Sequence, residues 1–274
     1  MNPPVADVPR AGLERQAAFT LTDLIVVLAI FAMLALLSLS AMAHSQPSSD
    51  RAGCANNLRR LMQAWQMYAD DNSGQLMAHA STGGNLPWVG GSMDFNSGNA
   101  DNTNPLKLTN AAYAAMGSYV NSSELFRCPA DLSSIGFATG PKLRVRSYSM
   151  SELMGNPGPS FWSPTYQVMT RIAEIPHPDR IFALLEEHPD SINDSQFALD
   201  LVDVRAGARL IDFPAAFHLG GANFGMADCH VENWQWADAR TMPAITFTGT
   251  LPLNVSSPNN PDVARLQAAA SYLK

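Results

Sequence analysis

One run of apolar residues constrains this chain more than any other feature. Within residues 24–39 only Ser38 is not apolar, and after Asp23 the next formally charged residue is Asp50. As a helix, residues 19–43 would measure about 37 Å at about 1.5 Å per residue, which exceeds the roughly 30 Å hydrocarbon core of a bilayer. Burying a carboxylate near such a core is costly. The run therefore predicts a transmembrane helix and makes Asp23 a candidate functional residue.

A second helix is expected after this run. Pro47 predicts a break, because proline lacks an amide proton and restrains the residue before it. Beyond it, apolar residues recur at spacings of three and four, which indicates an amphipathic helix, and Gly74 suits its end. The pattern is too short for a sustained coiled coil, so we expect the stripe to pack against a head domain. The stripe consists of Cys54, Leu58, Leu61, Met62, Trp65 and Tyr68.

From residue 75 onward the chain changes to short apolar pieces separated by Gly, Pro, Asn and Asp. These pieces predict a helix over 106–119, strands over 146–150 and 180–185, and a helix over 261–273. The expected fold is α+β, with a long N-terminal transmembrane and spine helix and a β-rich globular head. With 15% charged residues, a net charge of −7 and no basic stripe, the composition disfavours nonspecific nucleic-acid binding.

The clearest hairpin signal spans residues 222–236. A two-residue turn at Asp228 and Cys229 would place Met226 opposite Val231 and require positive φ at both turn residues. Strand alternation then separates two faces. His230, Glu232, Trp234 and Trp236 would share one face, and Phe224, Met226 and Val231 the other.

Residues 18–24 resemble the class III signal of bacterial type IV pilins and type II secretion pseudopilins. In these signals a small residue precedes the scissile bond, and Phe-Thr-Leu-x-Glu opens an apolar helix. The resemblance implies cleavage between Ala18 and Phe19 by a prepilin peptidase and N-methylation of Phe19. It also implies that Asp23 pairs with the N-terminal amine of a neighbouring subunit. Ala18 replaces the usual Gly, and Asp23 the usual Glu.

The resemblance implies a structural subunit rather than an enzyme. Such a subunit polymerises through its N-terminal helix, with other pilin or pseudopilin subunits, into a pilus or secretion pseudopilus. It would cross the inner membrane once, with the head in the periplasm or on an extracellular filament. The expected segments are a leader (1–18), a transmembrane helix (19–46), an amphipathic spine (47–74) and a β-rich head (75–274).

Two other interpretations of the N-terminus remain open. Residues 41–43 read Ala-Met-Ala, an A-x-A cleavage site of the kind that follows the apolar core of a secretory signal peptide. Against this, the apolar stretch exceeds the usual 7–15 residues, and Asp23 stands where a basic residue is expected. A plain signal anchor is the third interpretation.

A second resemblance lies at the other end of the chain. His218, nine intervening residues, and then Asp228, Cys229 and His230 resemble the C-terminal His-x9-Asp-Gly motif of the prepilin-type processing-associated proteins. Residues 54–61, 69–74 and 126–131 also resemble landmarks of that family. Cys229 stands where the motif has Gly, and a Cys residue is disfavoured relative to Gly at positive φ because of its Cβ atom.

Three cysteines permit one disulfide and one remaining thiol. A periplasmic head would lie in an oxidising compartment. We favour Cys54–Cys128, because it would join the spine to the head and because both residues lie in family-like motifs. The alternative is that all three cysteines are buried and reduced.

The acidic segment 186–194 is a candidate calcium site, because hard cations take oxygen ligands from closely spaced loop residues. Major pseudopilins similarly use a calcium-stabilised head loop, although the spacing here does not match an EF-hand, and a capped turn without metal is the alternative. No other cofactor is expected. The candidate ligands are Glu186, Glu187, Asp190, Asn193 and Asp194.

A different class of function uses the C-terminal motif. His218, Asp228 and His230 contain the residue types of a hydrolase or metal site, and Trp234 and Trp236 suit a carbohydrate-binding face. No Gly-x-Ser-x-Gly elbow, His-Glu-x-x-His helix or phosphate-binding loop accompanies them. A secreted or membrane-anchored carbohydrate-binding or hydrolytic domain is therefore the alternative to the structural subunit.

Overall fold

The computed structural model describes residues 21–81, 84–202 and 205–274. Within these ranges it describes the side chains of all residues except 35–49. The chain divides into two compact units, Met1–Ser45 and Gln46–Lys274, which we describe separately. The helices are α1 (Leu21–Asp71), α2 (Leu106–Thr109) and α3 (Pro261–Ala268). The strands are β1 (Ser134–Phe137), β2 (Gly140–Leu143), β3 (Tyr148–Ser151), β4 (Phe182–Glu186), β5 (Gln196–Phe197), β6 (Arg209–Leu210), β7 (Gly221–Met226), β8 (Val231–Gln235) and β9 (Val255–Ser256).

A five-stranded sheet organises the second unit. Its strand order is β5-β3-β4-β7-β8, with β3 parallel to β5 and the other neighbours antiparallel. β4 lies at the centre and is buried along its whole length, which is consistent with its short apolar run before Glu186. Two smaller antiparallel pairs, β1-β2 and β6-β9, lie outside this sheet.

The part of α1 after residue 50 packs on one face of this sheet. Cys54, Leu58 and Trp65 are fully buried, in one cluster with residues of β3 and β4. The approach is close at Gly225 of β7, where a Cβ atom would lie 2.6 Å from Met62. The stripe predicted from the periodicity is therefore buried, except that Tyr68 at its end is only partly buried. This part of α1 belongs to the core of the second unit and is not a separate spine.

The opposite face of the sheet carries a second core under α3. Phe182 of β4, Phe224 of β7 and Trp234 of β8 cluster there with Leu266 of α3. Phe224 and Trp234 stack with ring centroids 4.1 Å apart. Aromatic pairs of this kind add to the stabilisation from buried area.

The prediction of a transmembrane helix is wrong. Among the described residues, no helix is both long and apolar enough to cross a membrane. The apolar stretch with described side chains, 21–34, is shorter than the about 20 residues that a crossing requires. The fold is α+β with a largely β head, as expected. This finding contradicts the expected transmembrane and spine helix, and with it the single-pass location in the inner membrane.

Two local predictions also fail. The expected break at Pro47 is absent, since α1, which is 51 residues long, continues through it. A single proline removes only one backbone hydrogen bond from so long a helix. The helix expected over 106–119 ends at Thr109, where the Asn110 side chain accepts the Ala112 N–H 2.8 Å away. Such local bonds by Asn compete with helix formation.

The hairpin formed by β7 and β8 exists, but its predicted register is wrong by one residue. Gly225, not Met226, lies opposite Val231. The Cys229 N–H donates to the Met226 carbonyl, and the Met226 N–H donates to the His230 carbonyl. The loop thus has three residues, with positive φ (72°) at Cys229 but not at Asp228. A one-residue slip exchanges the faces of a strand, so Trp234 shares a face with Phe224.

Candidate functional site

The residues predicted to act in processing and assembly lie at the N-terminus. Ala18 and Phe19 are outside the described residues, and Asp23 lies in the first turn of α1. The large apolar side chains over residues 21–34 are between 40% and 74% exposed. They occur on every side of the helix, whereas a helix at the surface of a globular protein usually has one apolar face. This exposed apolar stretch of the first unit is the candidate assembly surface.

The first residue of the C-terminal motif is buried. His218 is 1% exposed, and its Nε2 lies 3.0 Å from Glu186 Oε1 and 3.6 Å from Cys128 Sγ. Glu186 Oε2 in turn accepts the Asn223 N–H at 2.7 Å. His218 therefore joins β4, β7 and the disulfide, and its buried location prevents direct contact with a substrate in solvent.

The remaining motif residues form an exposed hydrogen-bonded chain at the hairpin. His230 Nδ1 lies 2.5 Å from Asp228 Oδ1, and His230 Nε2 lies 3.2 Å from Glu232 Oε1. Partial burial lowers the pKa of His230, but the hydrogen bonds to Glu232 and Asp228 outweigh this and raise it overall. Glu232 also accepts the Trp234 indole N–H at 2.6 Å. With His218 buried and His230 exposed, the motif does not form one catalytic group.

The cysteines are arranged as predicted. Cys54 and Cys128 form a disulfide with Cα atoms 4.9 Å apart, and Cys229 is the free thiol. Burial raises the pKa of Cys229 to about 11. Because the thiolate is the reactive form of cysteine, we expect Cys229 to be unreactive at neutral pH.

The acidic segment does not converge on one point. Glu186 faces His218, while Glu187 Oε1 accepts the Ser191 hydroxyl at 2.8 Å. Burial raises the pKa of Glu187 well above its usual value. The Asp190 carboxylate instead accepts backbone N–H groups from residues 246–249. Burial by itself would raise the pKa of Asp190, but these hydrogen bonds have the larger combined effect, so the pKa of Asp190 is lowered overall.

The last two candidate calcium ligands also have separate partners. Asp194 Oδ1 accepts the Gln196 N–H at 2.8 Å, and the Asn193 carbonyl accepts the Met93 N–H at 2.7 Å. Calcium binding therefore stays a prediction without support from a shared geometry. Within the described ranges, the metal-ligand atoms that do converge belong to Cys54, Cys128, Glu186 and His218.

Two buried arginines, which the sequence analysis did not single out, hold the acidic segment. Arg144 donates to the Pro189 carbonyl at 2.7 Å, and Arg146 donates to the Asp194 carbonyl at 2.6 Å. Burial lowers the pKa of both guanidinium groups. The sequence contained one signal for this contact. Two arginines stand at alternate positions just before β3, and their positive charge is opposite to that of the acidic residues 186–194.

We compared the chain with protein-family models, with curated proteins and with solved structures, and none of the three comparisons finds a match. Family membership therefore does not follow from these comparisons.

Proposed function

We propose that this chain is a pilin-like structural subunit that polymerises through its N-terminal helix. The observation that carries the proposal is the exposed apolar stretch over residues 21–34, in which even Leu21 and Phe31 are mostly exposed. Contiguous exposed apolar surface marks an interaction site in soluble proteins. A helix that is apolar on every side needs partners on every side, and helices from other copies of this chain provide them in a filament.

The second unit has the properties expected of a filament head. The buried stripe of α1 between Cys54 and Ala69 is part of its core, and the Cys54–Cys128 disulfide links this part of α1 covalently to the segment before β1. Buried polar side chains also join its elements, as the pair of Glu186 with His218 illustrates. These features favour a stable structural domain.

The described side chains weigh against the carbohydrate-binding or hydrolytic alternative in its predicted form. Trp234 and Trp236 are 3% and 7% exposed, so neither offers an open face to a sugar. The Arg265 guanidinium lies 4.0 Å from the centroid of the Trp234 ring. Together with the separation of His218 from His230, this removes the surface on which the alternative depended.

The decisive experiment compares two charged substitutions in the full-length chain. Ile25→Asp places a carboxylate in the exposed apolar stretch, and we expect it to abolish filaments in negative-stain micrographs and in sedimentation. Leu132→Asp is the matched control, because Leu132 is an exposed apolar residue of the second unit. We expect it to assemble as the unmodified chain does. Normal assembly by Ile25→Asp would refute the proposal.

A second experiment tests processing by the proposed prepilin peptidase. Mass spectrometry of the chain from its native host should find a mature N-terminus at Phe19, with N-methylation. Asp23→Ala should leave this processing intact and block filament assembly, because the resemblance assigns Asp23 to pairing with a neighbouring N-terminal amine. A mature chain that begins at His44 would contradict the proposal, since cleavage there removes residues 21–34.

A further inference from the structure

Four side chains with metal-ligand atoms meet in the core of the second unit. Cys54, Cys128 and Glu186 are fully buried, and His218 is 1% exposed. One ligand atom from each lies within 4.8 Å of all the others. The two sulfurs are joined as a disulfide, which leaves no thiolate to bind a metal. The arrangement therefore has a second chemical state, in which the disulfide is reduced.

We propose that the reduced chain binds Zn²⁺ through Cys54, Cys128, His218 and Glu186. Zinc prefers four tetrahedral ligands among thiolate sulfur, imidazole nitrogen and carboxylate oxygen. Bond lengths of about 2.0–2.3 Å place such ligand atoms about 3.3–3.8 Å apart. His218 Nε2 already lies 3.6 Å from Cys128 Sγ and 3.0 Å from Glu186 Oε1. Small side-chain movements therefore suffice.

The ligands are held in place by contacts that do not need the disulfide. The Cys128 N–H donates to the Ser147 hydroxyl at 3.1 Å, and the Cys54 carbonyl accepts the Tyr148 hydroxyl at 3.2 Å. Glu186 Oε2 accepts the Asn223 N–H. Contacts of this second layer orient metal ligands and raise affinity. Reduction thus leaves the backbone of both cysteines anchored beside His218.

The switch between the two states is a balanced exchange. A dithiol reductant attacks the disulfide, and the Sγ–Sγ bond breaks while the reductant is oxidised to its own disulfide. The two cysteines gain two electrons and two protons in total. Binding of Zn²⁺ then releases both thiol protons and leaves thiolate ligands. In the reverse direction a small-molecule disulfide accepts two electrons from the two thiolates and leaves as two thiolates, the Sγ–Sγ bond re-forms, and Zn²⁺ is released. The disulfide and the zinc site therefore exclude each other.

The test uses the full chain in both redox states. One sample is reduced with dithiothreitol in urea, freed of the reductant and refolded without oxygen, and the other is left oxidised. Co²⁺ is the spectroscopic probe, because thiolate ligands give it a charge-transfer band in the near ultraviolet. We expect one Co²⁺ per reduced chain, displaced by Zn²⁺, and none in the oxidised chain.

Three results would overturn the proposal. They are equal metal binding by both states, native refolding of the reduced chain without metal binding, and failure of the reduced chain to refold with Zn²⁺ present. Circular dichroism distinguishes the second from the third.

Variants identify the ligands. His218→Ala and Glu186→Gln should each weaken Zn²⁺ binding by about tenfold or more, an effect at least as large as that of losing an outer-shell contact. Cys128→Ser keeps nearly the same volume and should weaken the charge-transfer band. Cys229→Ser is the matched control, because this cysteine is not one of the four ligands, and it should bind as the unmodified chain does. Loss of the band in Cys229→Ser would show that Cys229 binds the metal, and it would refute the proposed site.

Discussion

Two stretches of α1 are both rich in apolar residues and have opposite environments. Over residues 21–34 the large apolar side chains are exposed, whereas over residues 54–65 the apolar stripe is fully buried. The second stretch alternates with polar residues such as Arg59 and Gln63, so one sheet face covers its single stripe. The first stretch is apolar all round, and a single sheet face leaves most of such a helix uncovered. Apolar content alone therefore does not make a core residue.

The largest effect on unfolding free energy is expected when the same substitution, leucine to alanine, is made in each of the two stretches. Leu61→Ala removes a fully buried side chain and should lower the free energy of unfolding by about 2–5 kcal/mol. Leu28→Ala removes an exposed one and should change it by less than about 0.5 kcal/mol. Equilibrium urea unfolding of both variants measures the difference. Equal losses would show that residues 21–34 are also covered within the chain.

Removal of the disulfide tests how firmly the buried stretch is held. Cys54→Ser with Cys128→Ser opens a link between residues 74 apart in sequence, and we expect a loss of about 2–5 kcal/mol in unfolding free energy. Cys229→Ser is the control and should cost much less. Urea unfolding under oxidising conditions provides both values. An unchanged double variant would mean that packing alone anchors α1 to the sheet.

Ionisation of a buried acid gives the second unit a pH-dependent stability. Burial raises the pKa of Glu152 from 4.5 to about 7, although the Leu199 N–H opposes this. The folded state therefore binds more protons than the unfolded state between these values, and unfolding free energy should fall as pH rises from about 4.5 to about 7. The total loss is on the order of 2–3 kcal/mol.

Glu152→Gln provides the control for this pH dependence, because glutamine resembles the protonated acid and does not titrate. Urea unfolding at several pH values between 4.5 and 8 should show a shallower decline for the variant. A smaller decline remains, because burial also raises the pKa of Asp212 to about 7. Identical slopes for the variant and the unmodified chain would exclude Glu152 as a cause.

The smallest expected effect is at the hairpin turn that packs near α1. Cys229 has φ of 72°, and Gly accepts this conformation without a Cβ penalty. Cys229→Gly should raise the unfolding free energy by up to about 1 kcal/mol. The loss of the Sγ contact with the Met62 carbonyl at 3.4 Å opposes this gain. A loss above about 1 kcal/mol in urea unfolding would show that packing of the thiol outweighs backbone strain.

Some parts of the fold were predictable from local pattern. The spacing of Leu58, Leu61 and Trp65 predicted a buried stripe, and all three are fully buried. The apolar run before Glu186 predicted β4, and the expected helix after Pro261 is α3. The Cys54–Cys128 pairing, which rested partly on the resemblance, is confirmed. Periodicity succeeds here because each pattern is satisfied by one neighbouring layer.

Other features depended on contacts between distant residues. The predicted hairpin register was wrong by one residue. The sequence around Asp228 and Cys229 is compatible with a two-residue loop and with a three-residue loop. The hydrogen bond from the Met226 N–H to the His230 carbonyl makes it a three-residue loop. The proposed calcium ligands separated because Arg144, Arg146 and residues 246–249 hold the acidic segment. These partners lie about 40 to 60 residues away in sequence, so the sequence of residues 186–194 alone does not reveal them.

By itself, the sequence determined where several helices and strands lie and which face of the helix over residues 54–65 is apolar. Those properties follow from side-chain period and residue type, which are local. Only the tertiary structure placed His218 beside Glu186 and the disulfide, and Trp234 inside a core. The reason is physical: burial and hydrogen bonding of a side chain depend on strands and helices far away in the chain, and their register decides which groups meet.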